Sequence, residues 1–488
     1  MNLATRGSSD GSSVPRDVLL ELEFRRGFLR RNLRNALRAA IHDGRLVAGA
    51  VLPASRRLAA ELEVSRGVVT DAYDQLTAEG YLEMRPRRAP IVANVAMVSP
   101  AVNEPAAPSW RFDFVATTPD VRSFPRRAWL RAMERAMRTA PDEAFNYGDH
   151  RGRIELRAAL SAYLGRVRGV RVDAGRIIIT QGFSQALDLV CRLLAGRGAR
   201  SIGIESPSLP DEWATARGAG LRVDACLVDA DGAQVDRLVN LNPAAIVVTP
   251  AHQFPTGVVM TPARRTALLA WAAANRRIVI EDDYDAEFRY DRSPVGAIQG
   301  LDPGVVIHVG TASKTLSPGV RLGWMSVPAD LVDELTALKG MADSGSPTAD
   351  QLALAELIAN GDYDRHVARM RHEYRRRRDR LVAALVNYLP SLPHLGAAAG
   401  LHILLRLPDG VDDIEIAAGA AARGVGVRPL SPLSIDGPGQ PGLLLGYGRL
   451  DEVRIEPGVA TLAQVLRDAG IPSRPTSATG AGARSSDG

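Results

Sequence analysis

Only two of the 60 basic side chains are lysines, Lys314 and Lys339. Any chemistry that needs a primary amine must use one of them. Lys339, in TALKGMADSG, lies near the end of a helical pattern with no polar constellation around it, and it reads as a solvated surface side chain. Lys314 follows the apolar run Val305-Val306-Ile307-His308-Val309 and sits among Gly310, Ser313 and Ser317, with Arg321 seven residues on. An amine at the carboxyl end of a strand, in a loop of small polar residues, is suited to condensing with a carbonyl, because desolvation keeps it neutral and nucleophilic. Arg321 can bind a phosphate there and lower the amine's pKa by like charge.

Two further apolar runs end in chemistry of their own. Ile278-Val279-Ile280 leads into Glu281-Asp282-Asp283-Tyr284. Asp282 can keep a pyridine nitrogen protonated, and Tyr284 can donate to a ring oxygen. Ile177-Ile178-Ile179 leads through Gly182 into a helical pattern, where the amides around Phe183 and Ser184 can receive a phosphate. Each feature alone is ordinary. A glycine between strand and helix is usually a turn, and paired aspartates at a strand end often cap a helix. Together with Lys314 they form the set that a pyridoxal 5'-phosphate site requires.

These positions need a scaffold of strands and helices in alternation. The runs at 177–179, 246–248, 278–280 and 305–307 are short, β-branched and separated by amphipathic stretches. That pattern predicts an α/β domain with a mostly parallel sheet. Ligands in such sheets sit beyond the carboxyl ends of the strands, where the residues above fall. The chain divides at a Pro/Ala-rich linker over 94–111 into a small part, 16–93, and a large part, 112–472. Residues 1–15 and 473–488 are polar and Gly/Ser-rich and are expected to be disordered. The two cysteines, Cys191 and Cys226, can build neither a disulfide framework nor a zinc site, so no metal is expected. With no signal-peptide pattern and no apolar run of membrane-spanning length, a cytoplasmic location is expected.

The small part reads as a winged helix-turn-helix. Leu33, Leu37 and Ile41 mark one helix face; Ser55 can cap a second helix and Ser65 a third; Tyr81–Met84 and Ile91–Ala93 are short strands. In such a module the start of the last helix enters the major groove, which points Ser65, Arg66 and Thr70 at base edges. Arg56 would grip phosphate, and Arg85 and Arg87 would lie on the wing. Residues 21–93 hold 13 arginines against 9 acidic residues, a surplus of four in a chain whose formal net charge is +5. Charge alone more often marks a solvated face.

The stretch LPASRRLAAELEVSRGVVTDAYDQLTAEGYL resembles the DNA-binding domain of the GntR family. YGDHRG, ITQGFSQALDL, TPAHQFPTG, EDDYDAEFRY and GTASKTLSPGVRLG resemble, in order, a fold-type I aminotransferase. The two joined, over about residues 25–470, resemble the MocR/GabR regulators. The resemblance implies a Schiff base on Lys314, Asp282 at the pyridine nitrogen and Tyr284 at the ring hydroxyl. It implies phosphate contacts from Phe183, Ser184, Ser313 and Arg321, and from Tyr147 to the phosphate of a partner subunit. It further implies a head-to-tail homodimer that binds promoter DNA and senses a small amine, an amino acid or the cofactor itself. An aminotransferase with an accessory DNA-binding domain is the rival reading. The sequence departs from the family at Leu209, where an aromatic residue stacks on the ring, and at Phe254, where aminotransferases carry Asn. Only Arg428 or Arg449 is offered for a substrate carboxylate.

Overall fold

The computed structural model describes residues 29–84, 88–94, 110–116, 118–290 and 295–472. The expected disordered ends, most of the expected linker, and Arg85 and Arg87 lie outside these residues. The chain separates into two units, 1–107 and 108–488.

The first unit has helices Leu29–His42, Ser55–Glu61 and Arg66–Ala78, then a two-stranded antiparallel ribbon of Leu82–Glu83 and Ile91–Val92. Its core joins Leu33, Leu37 and Ile41 to Leu58, Val69, Tyr73, Leu76, Leu82 and Val92. The third helix is tied to the turn before the second by Tyr73, whose hydroxyl donates to the carbonyl of Pro53 at 2.9 Å. The capping differs in detail from expectation. Ser55 is the first helical residue, behind Ala54, and Ser65 holds the cap position without a side-chain capping bond.

The second unit is built on an eight-stranded sheet. Its spatial order is Ile177–Thr180, Gly323–Ser326, Val306–Thr311, Ile278–Asp282, Ala245–Val248, Ser201–Ser206, Arg222–Asp229 and Gly232–Ala233. Gly323–Ser326 runs antiparallel to both neighbours, and Gly232–Ala233 closes a hairpin; the other pairings are parallel. The four apolar runs all become strands. Ser201–Ser206 lacks their β-branched density but is buried along its whole length. Burial on both faces, rather than propensity, makes it a strand.

A second, four-stranded antiparallel sheet contains His394–Leu395, His402–Arg406, Gly442–Gly446 and Arg428–Pro429. The helices Asp362–Tyr388 and Glu452–Asp468 pack together, and their apolar faces share a core with this sheet. Both cysteines are buried and unpaired, filling core volume. Among the described residues no helix is long and apolar enough to cross a membrane.

The long helix is anchored by charge. Arg377 and Asp120 are both buried and meet at 2.9 Å, while Tyr374 accepts the backbone N–H of Asp120 at 2.9 Å. Removing one member of a buried pair leaves the other charge without compensation. Asp120→Ala should therefore lower stability by about 3–5 kcal/mol in urea unfolding, well above the cost of breaking an exposed ion pair.

Candidate functional site

The strand ends that matter are neighbours. Asp282 closes Ile278–Asp282 and is level with Val309 of the adjacent parallel strand, from which the chain runs through Thr311 into Ser313 and Lys314. Gly323–Ser326 returns between that strand and Ile177–Thr180, with Gly323 opposite both Thr311 and Thr180. Gly182 then starts the helix Phe183–Gly196 at φ 106°, a conformation that L residues rarely adopt.

A β-carbon on Gly182 would stand 3.8 and 3.9 Å from the two terminal guanidinium nitrogens of Arg321 and 3.9 Å from Thr311 Oγ1. One on Gly323 would stand 2.7 Å from Gly182 Cα. The two glycines thus let the strand carrying Gly323 press against the turn that opens the helix. The helix start has no side-chain cap, so the amides around Phe183 and Ser184 remain available beside a guanidinium. Thr311 Oγ1 donates to Ser313 Oγ at 2.9 Å and accepts the Ser313 N–H at 3.1 Å, which places Ser313 in the same corner. The helix start at Phe183 and Ser184, Ser313 and Arg321 therefore lie around one corner.

The two aspartates of the strand end are distinct. Asp283 is clamped by Arg168 at 2.7 and 2.9 Å and by His308 Nε2 at 3.0 Å. Burial opposes its ionisation, but Arg168 and His308 outweigh burial and hold its carboxyl below the usual range. Asp282 is 9% exposed, and its Oδ1 has no hydrogen-bond partner among the described residues. Burial raises its pKa, Asp283 adds to the rise, and Lys314 opposes it. A buried carboxylate oxygen without a donor is costly. A protonated pyridine nitrogen would supply that donor, so the residues present fit a pyridoxal phosphate ring.

Lys314 is half-buried. Burial lowers its pKa, against the opposing charges of Asp285 and Asp282, which favours the neutral amine. Tyr284 donates to the carbonyl of His252 at 3.1 Å, and burial pushes its phenol upward, so it keeps its proton. Leu209 and Tyr284 pack against a buried apolar cluster of Ala116, Phe254, Leu404, Leu430, Leu433 and Leu444.

Some placements differ from the sequence reading. Lys339 is fully buried, not solvated: its Nζ lies 2.6 Å from both Asp343 oxygens and 3.2 Å from Ser346 Oγ. Its helix, Val332–Asp343, packs on the helix Phe183–Gly196, and Gln185 of the latter donates to Asp343 at 2.8 Å. Burial lowers the pKa of this amine, and the Asp343 carboxylate opposes the shift. Tyr147 is 90% exposed and lines a separate cleft of about 800 Å³ whose walls include neither Lys314 nor Asp282. Arg449 is paired with Asp113 at 3.1 Å. Arg428 is half-buried and stands opposite Leu444 in the strand pairing; burial lowers its pKa and the charge of Asp211 opposes that shift.

Three buried carboxylates near the site were not singled out from sequence. Burial pushes Glu205 up to about 7 and raises Glu212 well above the usual range. Asp285 contacts His252 Nδ1 at 3.0 Å. Their only sequence signal is proximity to strand ends.

In the first unit, Arg56, Ser65, Arg66 and Arg88 are exposed. Ser65 and Arg66 open the third helix, with Arg66 Nε 3.4 Å from Ser55 Oγ. Thr70 is half-buried, and its hydroxyl donates to the carbonyl of Arg66 at 3.0 Å. Its hydroxyl hydrogen is thus already used within the helix.

A winged helix followed by a sheet whose strand ends cradle a lysine, a carboxylate and an anion corner defines the class: a DNA-binding module joined to an aminotransferase-type domain. Comparison with known proteins gives the same result. Residues 119–442 match the family of class I and II aminotransferases, and residues 29–92 match the bacterial regulatory proteins of the GntR family. The chain is 36% identical to the uncharacterized HTH-type transcriptional regulator YhdI of Bacillus subtilis, over 86% of this chain and 92% of that one. It is 31% identical to the probable rhizopine catabolism regulatory protein MocR of Rhizobium meliloti, over 89% and 93%. Among solved structures it matches LysN, an α-aminoadipate aminotransferase of Thermus thermophilus complexed with N-(5'-phosphopyridoxyl)-L-leucine. That match has TM-score 0.67 and 25% identity, over 73% of this chain and 92% of that one. The chain belongs to the MocR-type HTH regulators, with a GntR winged helix and a fold-type I aminotransferase domain. It is a pyridoxal phosphate-dependent transcriptional regulator that binds DNA and a small-molecule ligand.

His402 gives the site region a pH signature. Its Nε2 donates to the carbonyl of Pro255 at 3.1 Å, and burial pushes its imidazole down to about 3 from the ordinary 6.5. Between these values the unfolded chain takes up a proton that the folded chain refuses, so stability falls as pH drops from 6.5 towards 3. His402→Gln should flatten urea-unfolding stability across that window by up to about 1.4 kcal/mol per pH unit.

Proposed function

We propose that the large domain holds pyridoxal phosphate on Lys314 and that exchange of this link for an effector amine is the signal passed to DNA. The observation that carries the reading is Asp282 Oδ1, buried and unpartnered beside the Lys314 loop and the Arg321 corner. When bound, the cofactor supplies a carbonyl carbon that condenses reversibly with amines. Asp282 keeps the ring nitrogen protonated, and Tyr284 donates to the ring oxygen. The amides around Phe183 and Ser184, with Ser313 and Arg321, hold the phosphate. Leu209, which packs with Tyr284 against the same apolar cluster, would offer the ring apolar contact. An effector that frees the Lys314 side chain binds the two states differently, as any ligand that shifts a conformational equilibrium must.

The effector is a small amine or amino acid. Arg428 is available to an anionic group on it, since its cross-strand partner Leu444 belongs to the apolar cluster beside Tyr284. The protein works in the cytoplasm as a head-to-tail homodimer. The exposure of Tyr147, Phe145 and Ile154 around the 800 Å³ cleft suits a second copy, and Tyr147 would reach the partner's phosphate. Arg56, Ser65 and Arg66 face DNA, and Thr70 with them; Arg85 and Arg87, outside the described residues, are proposed as DNA contacts from the sequence alone. Steady turnover of an amino acid with a keto acid at enzyme rates would favour the rival, an aminotransferase with an accessory domain.

Borohydride reduction of the holoprotein should attach the cofactor to the Lys314 peptide by mass spectrometry. Lys314→Ala should lose both the label and the visible absorbance, and Lys339→Met should keep both. Label on the Lys339 peptide would overturn the reading. In a gel-shift titration on a fragment upstream of its own gene, Arg66→Ala should weaken specific binding by about 1–3 kcal/mol. No shift of any such fragment by the wild type would remove the DNA-binding role.

A further inference from the structure

We propose that His252 is a positioning residue for the cofactor: it occupies Asp285 and so reserves the Tyr284 hydroxyl hydrogen for the ring oxygen. This rests on the reading that Tyr284 meets that oxygen. The need for such a group follows from Phe254, which stands where aminotransferases carry an Asn. Its ring lies edge-on to Tyr284, at 6.4 Å between centroids, and offers no donor.

His252 is buried, and the backbone is shaped around its ring. A β-carbon on Gly400 would lie 2.1 Å from His252 Cε1, 2.4 Å from Nδ1 and 2.6 Å from Asp285 Oδ2. Gly400 has φ 80°, so both conformation and space require glycine there. Nδ1 is 3.0 Å from Asp285 Oδ2 and 3.2 Å from Tyr284 Oη, while Nε2 is buried with no partner. A carboxylate can only accept, so the ring hydrogen sits on Nδ1, shared between carboxylate and phenol oxygen.

That N–H decides where the phenol's own hydrogen goes. With Tyr284 Oη accepting from His252, its O–H turns to the His252 carbonyl at 3.1 Å or to a ring oxygen placed before it; Asp285 also lies within its reach, and the His252 N–H is what weakens that third acceptor. Without the N–H, Asp285 becomes an unfilled buried acceptor within reach, and a carboxylate outcompetes a carbonyl for a hydroxyl donor. The phenol would then point its hydrogen at Asp285 and away from the ring. The other titratable groups facing this trio are His402, with ring centroids 5.2 Å from His252, Lys314 and Glu287, which feel the charge of Asp285, Asp282 and Tyr447, which act on Tyr284, and Tyr290, which feels Asp285 and Tyr447.

The test is a pH titration of the visible band of the full-length holoprotein. A hydrogen bond to the ionised ring oxygen favours the deprotonated form of the bound cofactor, so losing it moves the midpoint up. Tyr284→Phe and His252→Phe should each raise the midpoint by about one pH unit, a tenfold change. The double variant should move no further than either single one, because both remove the same hydrogen bond. His252→Asn, which keeps an N–H near the Nδ1 position, should stay close to wild type. If His252→Phe fails to fold or to hold cofactor, His252→Ser in the same titration replaces it with the same expected rise. The proposal is overturned if either His252 variant lacking the N–H leaves the midpoint in place, if the shifts add, or if His252→Asn shifts as far as His252→Phe. A Tyr284→Phe variant with an unmoved midpoint would instead refute the underlying placement of Tyr284.

Discussion

A buried carboxylate oxygen that no described residue satisfies is the constraint around which the large domain is arranged. Asp282 is held at the end of a central strand, 9% exposed, with Oδ1 unpartnered. A charge so placed is expensive unless a donor arrives from outside. Its neighbour Asp283 has its counter-charges built in, from Arg168 and His308. One aspartate of the pair therefore braces the sheet, and the other keeps an oxygen that no described residue satisfies.

The two lysines are both taken out of water, and burial lowers the pKa of each. Lys339 is buried against its own carboxylate, Asp343, and is chemically committed. Lys314 lies under burial that favours its neutral form. Around it the chain places small residues wherever backbones must meet: Gly182 against Gly323, and Gly400 against the His252 ring. The cradle is made as much by missing side chains as by those present.

Much of this was legible in the chain itself. The strand runs at 177–179, 246–248, 278–280 and 305–307 announced a parallel sheet, and the chemistry sat just after them. The i, i+4, i+8 spacing of Leu33, Leu37 and Ile41 marked a buried face of the small unit. Lys339 was misread because a single charged position on a helix pattern looks solvated. Only Asp343, one turn on, hinted at a buried pair. Ser201–Ser206 was missed because mixed Gly, Ser and Glu carry little strand propensity.

Local order, then, was determined by the sequence: which segments become strands, where the amine and carboxylates fall along them, and which helix could read DNA. These follow from period, turn chemistry and side-chain type, all short-range properties. Tertiary structure decided which polar groups are partnered. It set Arg168 on Asp283, 115 positions away, left Asp282 open, and brought His252 to Asp285 across 33 positions. It gathered Phe254, Leu404 and Leu444 into one apolar wall beside Tyr284. Partnership and desolvation depend on which distant segments close over a group, and no local pattern encodes that.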